Sequence, residues 1–183
     1  MMRKIVLTGG VHSGKTYILE EFSKQGYATI PETAFQLIEG LNKKLGVEEQ
    51  KTWRLKNFAE FHATVVKKQL ELESNITPKK DGIVFCDRGM YDSIAFCKLM
   101  DVEVPQKILD IAKKNSYDLV FLCETLFDFD QRNETGRYLT YSQSLELKEL
   151  IREVYEEYRC KIIYLKEIPL KDRIKLIQKH LES

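Results

Sequence analysis

Near the start of the chain, Gly9-Gly10-Val11-His12-Ser13-Gly14-Lys15-Thr16 fits the pattern G-x-x-x-x-G-K-[ST] and follows the apolar run Lys4-Ile5-Val6-Leu7-Thr8. Glycines let such a loop fold tightly enough for successive backbone N–H groups to face a phosphate, and the helix beginning near Gly14 adds the positive end of its dipole. Lys15 can then reach the β- and γ-phosphates, while the Thr16 hydroxyl can ligate Mg²⁺. Tyr17 follows in the first helical turn and completes the set expected to touch a bound nucleotide. The ligand this implies is a nucleoside triphosphate, with ATP and Mg²⁺ as the expected pair. A glycine-rich turn with Ser13 capping the helix would explain the glycines but does not need the lysine.

Other candidates fall at strand ends. The run Val84-Phe85-Cys86 closes with Asp87-Arg88-Gly89, which puts a carboxylate where it can hold Mg²⁺ and a planar cation where it can meet an anion. The competing reading makes Asp87 the cap of the next helix and Arg88 its surface partner. Glu32, in Ile30-Pro31-Glu32-Thr33, lies at the same carboxyl edge and could take the proton of an attacking hydroxyl or water, or simply favour a helix start. Residues 128–140 are polar, carry Arg132 and Arg137, and follow the fourth apolar run; a lid bearing arginines is the functional reading and a solvated loop the plain one. His12 is a variable loop position, and His62, among Phe58, Phe61 and Val65, is expected at the edge of the core.

The elements that must position these residues alternate. Apolar runs at Ile5 to Thr8, Tyr27 to Ile30, Ile83 to Cys86, Leu119 to Leu122 and Ile162 to Leu165 are separated by helical patterns, which implies an α/β fold with a parallel sheet covered on both faces. Helices are expected at Lys15 to Lys24, Asp92 to Met100, Pro105 to Asn115, Tyr141 to Arg159 and Leu170 to Leu181. A long helical region from Thr33 to Asn75 is broken near Gly46.

The 183 residues are 43% hydrophobic, so a single domain could bury about 70% of its unfolded surface. With 29 basic and 28 acidic residues interspersed, the net charge of +1 gives no field that would make nucleic acid or an acidic membrane the main partner. The four cysteines form no C-x-x-C pair, and the chain shows no signal-peptide core or membrane-spanning run. Reduced thiols and a cytoplasmic location are expected.

Taken with Pro31-Glu32-Thr33-Ala34, Asp92-Ser93-Ile94-Ala95, Asp130-Gln131-Arg132-Asn133-Glu134 and Pro169 with Arg173, these residues resemble the small P-loop kinases often labelled AAA-type predicted ATPases. That group includes the nicotinamide riboside kinase domain of a bacterial NAD-synthesis regulator and is similar to nucleoside and nucleotide kinases. The resemblance implies a three-layer P-loop NTPase fold, with five parallel strands in the order 2-3-1-4-5 and a lid at residues 128–138. It also implies Asp87 and Glu32 shared between metal binding and base duty, and Ile168 and Pro169 near the purine. Phe35 stands shortly after Glu32, where members of the group often carry an arginine.

The expected activity is transfer of the γ-phosphoryl group to a hydroxyl of a small nucleoside-like acceptor. The alternative is a nucleotide-hydrolysing switch with a protein or lipid partner, but neither N-K-x-D nor D-x-x-G occurs at the place a guanine-nucleotide switch requires.

Overall fold

The apolar runs are unbroken stretches, a composition suited to strands covered on both faces. The computed structural model, which describes residues 2–125 and 139–182, has that arrangement. Strands β1 (Arg3–Gly9), β2 (Ala28–Ile30), β3 (Ile83–Asp87), β4 (Leu119–Cys123) and β5 (Ile162–Leu165) pair in parallel in the order β2-β3-β1-β4-β5. This is the expected order. The register sets Leu7 beside Asp87 and Gly9 beside Cys123, so the glycine loop leaves the sheet between the ends of β3 and β4.

Successive strand residues point to opposite faces, and the core divides accordingly. Ile5, Leu7, Phe85 and Phe121 pack with residues of α1 (Lys15–Lys24) and α8 (Leu170–Leu181), where Phe22 stacks on Phe85 with ring centroids 4.2 Å apart. On the other face Val6, Val84, Cys86, Val120 and Leu122 pack with α4 (Phe58–Asn75), α5 (Met90–Leu99) and α7 (Tyr141–Glu157). Among the described residues the remaining helices are α2 (Thr33–Leu45), α3 (Val47–Lys56) and α6 (Gln106–Ala112).

The long region between β2 and β3 breaks at Gly46, as expected, where φ is 84°, and again at Asn57, which the sequence reading missed. Helix α3 has little apolar periodicity to announce it. Its charges suit its dipole, with Glu48 and Glu49 in the first turn and Arg54 and Lys56 in the last. Helix α5 starts two residues before the expected Asp92, because the Asp92 carboxylate accepts the Gly89 N–H at 3.0 Å and closes a first turn that begins at Met90. Helix α6 stops short of the expected Asn115, whose side-chain amide instead donates to Ile111 O at 2.9 Å. Helix α7 opens on a capping box: Gln143 N donates to Thr140 Oγ1 at 3.2 Å and Thr140 N to Gln143 Oε1 at 2.9 Å.

The lid assigned to residues 128–138, with Arg132 and Arg137, lies outside the described residues. All four thiols are free, and among the described residues no helix is long and apolar enough to cross a membrane.

Leu147, fully buried where α7 meets the sheet, tests this packing. Leu147→Ala should lower the unfolding free energy in urea by about 2–5 kcal/mol. A cost below about 1 kcal/mol would mean that α7 does not pack as described.

Candidate active site

The loop after β1 turns on glycines at two points where a side chain would be strained: Gly9 at φ 138°, against the backbone of Cys123, and Gly14 at φ 76°. Its carbonyls are then fixed from outside. Arg88 Nη1 donates to Gly9 O at 2.9 Å, Ser144 Oγ of α7 to Val11 O at 3.1 Å, and Arg173 Nη1 of α8 to Ser13 O at 2.7 Å. The Ser13 hydroxyl donates to Gly10 O at 3.0 Å and so does not cap α1; Gly14 occupies that position without a side-chain bond. With carbonyls held outward, neighbouring N–H groups can form the concave nest that suits an anion.

Lys15 folds across this loop. Its ammonium donates to Gly10 O at 2.9 Å and to Ser13 Oγ at 2.7 Å, and the residue is 6% exposed. Burial, then the Arg88 charge, lower its pKa to about 8. The Thr16 hydroxyl, one residue on, donates to Asp87 Oδ2 at 3.3 Å. Asp87 is buried at the end of β3 and does not cap α5, whose N-cap is Gly89.

Arg88 follows in the left-handed region, at φ 68°, a strained conformation for a residue with a side chain. Surrounding contacts hold it there. Its backbone N–H donates to Leu7 O at 2.9 Å, and Nη1 reaches both Gly9 O and Asp92 Oδ1, the latter at 2.8 Å. It is buried, not a surface partner. Burial works against its charge, but Glu32, Asp92 and Asp87 together raise its pKa above the ordinary guanidinium range. Among the described residues its Nε makes no hydrogen bond, and it lies 3.7 Å from Glu32 Oε1.

Asp92 itself accepts from four donors: Thr8 Oγ1 and Arg88 Nη1 on Oδ1, and Gly89 N and Tyr155 OH on Oδ2. The sequence reading did not single out Asp92 as a site residue. The signal was present in its spacing of four from Arg88, the separation at which opposite charges meet along a helix.

An open cleft of about 470 Å³ runs from the glycine loop past Lys15, Thr16 and Tyr17 to Glu32, Asp87 and Arg88. Ile168 and Pro169 do not line it. Their segment connects to the loop through Arg173, whose Nε donates to Lys166 O at 3.0 Å. Beyond Glu32 lies a small apolar pocket walled by Phe58, Phe61, His62 and Phe96, with the Arg54 guanidinium also in its lining. His62 is not at the core edge: it is 4% exposed, stacked on Phe96 with ring centroids 5.3 Å apart, and its Nδ1 pairs with Ser93 Oγ at 3.1 Å. Burial, then the Arg54 and Arg88 charges, lower its pKa to about 3, so it faces the pocket as a neutral ring.

Thr16 and Asp87 supply a hydroxyl and a carboxylate oxygen side by side, hard donors of the kind Mg²⁺ takes. Among the described residues no group of three or more His, Cys, Asp or Glu side chains could hold a metal. An ion at Thr16 and Asp87 would therefore take its remaining ligands from water and phosphate, which is the usual habit of Mg²⁺.

A family model described as an AAA domain matches residues 4–173. No curated protein matches the chain. Among solved structures, deoxyadenosine kinase from M. mycoides with bound dATP is similar at 22% identity and a TM-score of 0.63, over 99% of this chain and 100% of that one. The structure of that kinase with products dCMP and a flexible dCDP bound gives 18% identity and a TM-score of 0.65 over 98% of each chain. The one with bound dCTP gives 20% and 0.64, over 98% of this chain and 99% of that one. At these identities the likeness is one of fold.

The depressed His62 pKa makes a stability prediction. Between about pH 6.5 and pH 3 the unfolded chain carries a proton on His62 that the folded chain does not, so stability is lost as the pH falls, by about 1.4 kcal/mol per unit. His62→Gln, which can still pair with Ser93, should remove this component. The wild-type-minus-variant difference in urea unfolding free energy should then fall by about 2 kcal/mol between pH 6.5 and pH 5. A pH-independent difference would show that His62 titrates normally.

Proposed function

The chain belongs to the AAA-domain family and has the fold of the small P-loop kinases; from that premise we propose that it is an ATP- and Mg²⁺-dependent kinase acting on a hydroxyl of a small nucleoside-like metabolite. The observation that carries this reading is the gap between Arg88 Nε and Glu32 Oε1, 3.7 Å across at the boundary of the phosphate cleft and the aromatic pocket. A hydroxyl entering there can accept from the buried Nε and donate to the carboxylate. Its oxygen then faces the end of the cleft where a γ-phosphate would lie.

In this reading Lys15 leaves its own loop to meet the β- and γ-phosphates, and the loop amides from Gly9, Gly10, Val11, His12, Ser13 and Gly14 hold the triphosphate. Thr16 and Asp87 would hold Mg²⁺, which when bound neutralises charge shared by β- and γ-oxygens. Glu32 takes the proton as the acceptor oxygen bonds to phosphorus and the bond to the ADP leaving oxygen breaks. Arg88 orients the acceptor, and Arg132 and Arg137, outside the described residues, would neutralise the transferred group from a lid at 128–138. Ile168 and Pro169 would flank the purine, and the whole chain would act as one cytoplasmic domain. A nucleoside-like acceptor is supported by the pocket of aromatic rings and neutral His62, and by the M. mycoides neighbour being a deoxyadenosine kinase.

Glu32→Gln keeps shape and hydrogen bonding but cannot take a proton. Phosphate transfer across a panel of nucleosides and nicotinamide riboside should fall by about 10² to 10⁴ with ATP affinity little changed. Equal transfer by both proteins would remove Glu32 from the base role, and no transfer by a wild type that binds ATP would favour the switch.

Lys15 supplies a second test, because a bound triphosphate favours its charged form. ATP binding at about pH 9 should take up close to one proton, with affinity falling as the pH rises through about 8, and uptake should vanish near pH 6.5. Titration calorimetry in buffers of different ionisation enthalpy reads this directly. Uptake that persists in Lys15→Arg would assign the proton to another group.

A further inference from the structure

Behind the acceptor end of the cleft, a buried carboxylate that faces neither nucleotide nor acceptor joins the two strand ends that carry Glu32 and Arg88. Glu73 of α4 is 3% exposed. Its Oε1 accepts from Gln69 Nε2 at 2.9 Å and from Tyr117 OH at 2.8 Å, and its Oε2 from Lys4 Nζ at 3.0 Å. One arm continues from Gln69, whose Oε1 accepts from the hydroxyl of Thr33, the residue after Glu32. The other continues from Tyr117, whose hydroxyl accepts from the N–H of Met90, two residues after Arg88, at 2.8 Å.

Stability alone does not call for such a network, since well-packed apolar residues often stabilise a core as well as a buried ion pair does. Direction is what it adds. Gln69 must turn its amide nitrogen to Glu73 and its oxygen to Thr33. Burial, then Glu73, hold the Tyr117 hydroxyl well above its usual range, so it keeps the proton it gives to Glu73 while accepting from Met90. The Tyr117 ring also lies against Gly89, where an added Cβ would come within 2.7 Å of it. Glu32 and Arg88 follow the ends of different strands, and their 3.7 Å contact is too long for a hydrogen bond that would fix their separation.

We propose that Glu73, acting through Gln69 and Tyr117, is a positioning residue that holds Glu32 and Arg88 at the spacing an acceptor hydroxyl needs. The proposal rests on the phosphotransfer reading above.

Gln69→Met cuts the Thr33 arm and Tyr117→Phe the Met90 arm, and each leaves the ion pair of Lys4 with Glu73 in place. For wild type and both variants the measurements are Tm, the stoichiometry and Kd of ATP binding, and kcat per ATP-binding molecule with acceptor saturating. The expected result is a fall in that kcat of about tenfold or more, toward the roughly 10²-fold that a 1 Å misplacement costs, with the ATP Kd within about twofold. Glu73→Gln should reproduce it by weakening both arms. A merely structural role would lower Tm and the fraction of molecules that bind ATP while leaving kcat per binding molecule and the acceptor KM unchanged, and that result overturns the proposal. If one variant does not fold, the variant in the other arm decides. Absence of transfer by wild type would sink the phosphotransfer reading and this one with it, whereas normal transfer by wild type and variants alike would sink only the positioning role.

Discussion

A loop can present its N–H groups to an anion only if its carbonyls point elsewhere, and much of this structure serves that single requirement. The carbonyls of Gly9, Val11 and Ser13 are taken by Arg88 from the end of β3, Ser144 from α7 and Arg173 from α8. These donors come from elements up to 160 residues away, on both faces of the sheet. The loop conformation is thus a property of the assembled fold. Cβ-free positions matter for the same reason: an added carbon at Gly10 would come within 2.7 Å of Thr125 Oγ1, in the space through which α7 approaches the loop.

Holding the loop this way requires charge inside the protein, which is tolerable only when paired. Arg88 is buried with Asp92 at 2.8 Å and Glu32 nearby, and Asp92 in turn accepts three further bonds, from Thr8 Oγ1, Gly89 N and Tyr155 OH. Among the described residues Lys15 has no such carboxylate contact within hydrogen-bond reach; it donates to Gly10 O and Ser13 Oγ, and burial lowers its pKa. The contrast is informative. Arg88 is fixed before any ligand arrives, whereas Lys15 occupies a resting contact that a triphosphate can replace with a stronger one.

The glycine loop was legible because its chemistry needs particular residue types at fixed spacing, and the five strands because a parallel sheet buries both faces and so writes unbroken apolar runs. Asp87 and Glu32 could be placed from those runs alone, as residues just past an apolar run. The strand order could not, since nothing local in β2 or β5 says which neighbour it pairs with; it came from the resemblance. The residues whose packing and roles were not legible share one cause. Asp92, Gln69 and Glu73 are polar residues on helices, where the usual expectation is a solvated face, and only the packing of α4 and α5 against the sheet turns them inward. Asn57 escaped notice for a different reason: α3 and α4 are joined with no glycine or proline, so no local signal marks the break.

The division of the cleft follows from the same topology. β1 and β3 lie side by side, and their ends deliver the glycine loop, Asp87 and Arg88 to one polar end. Helices α4 and α5 flank the edge beyond β3 and contribute Phe58, Phe61, His62 and Phe96 to an apolar one. Glu32, at the end of β2, stands on the seam because β2 is the strand next to β3 on that side. A charged phosphate is favoured on one side of this seam and a flat, weakly polar ring on the other, and neither environment suits the other group. The proposed acceptor, which carries both a ring and a hydroxyl, would therefore lie with the hydroxyl at the carboxylate, and the arrangement would select the reacting atom before any contact specific to the ring is made.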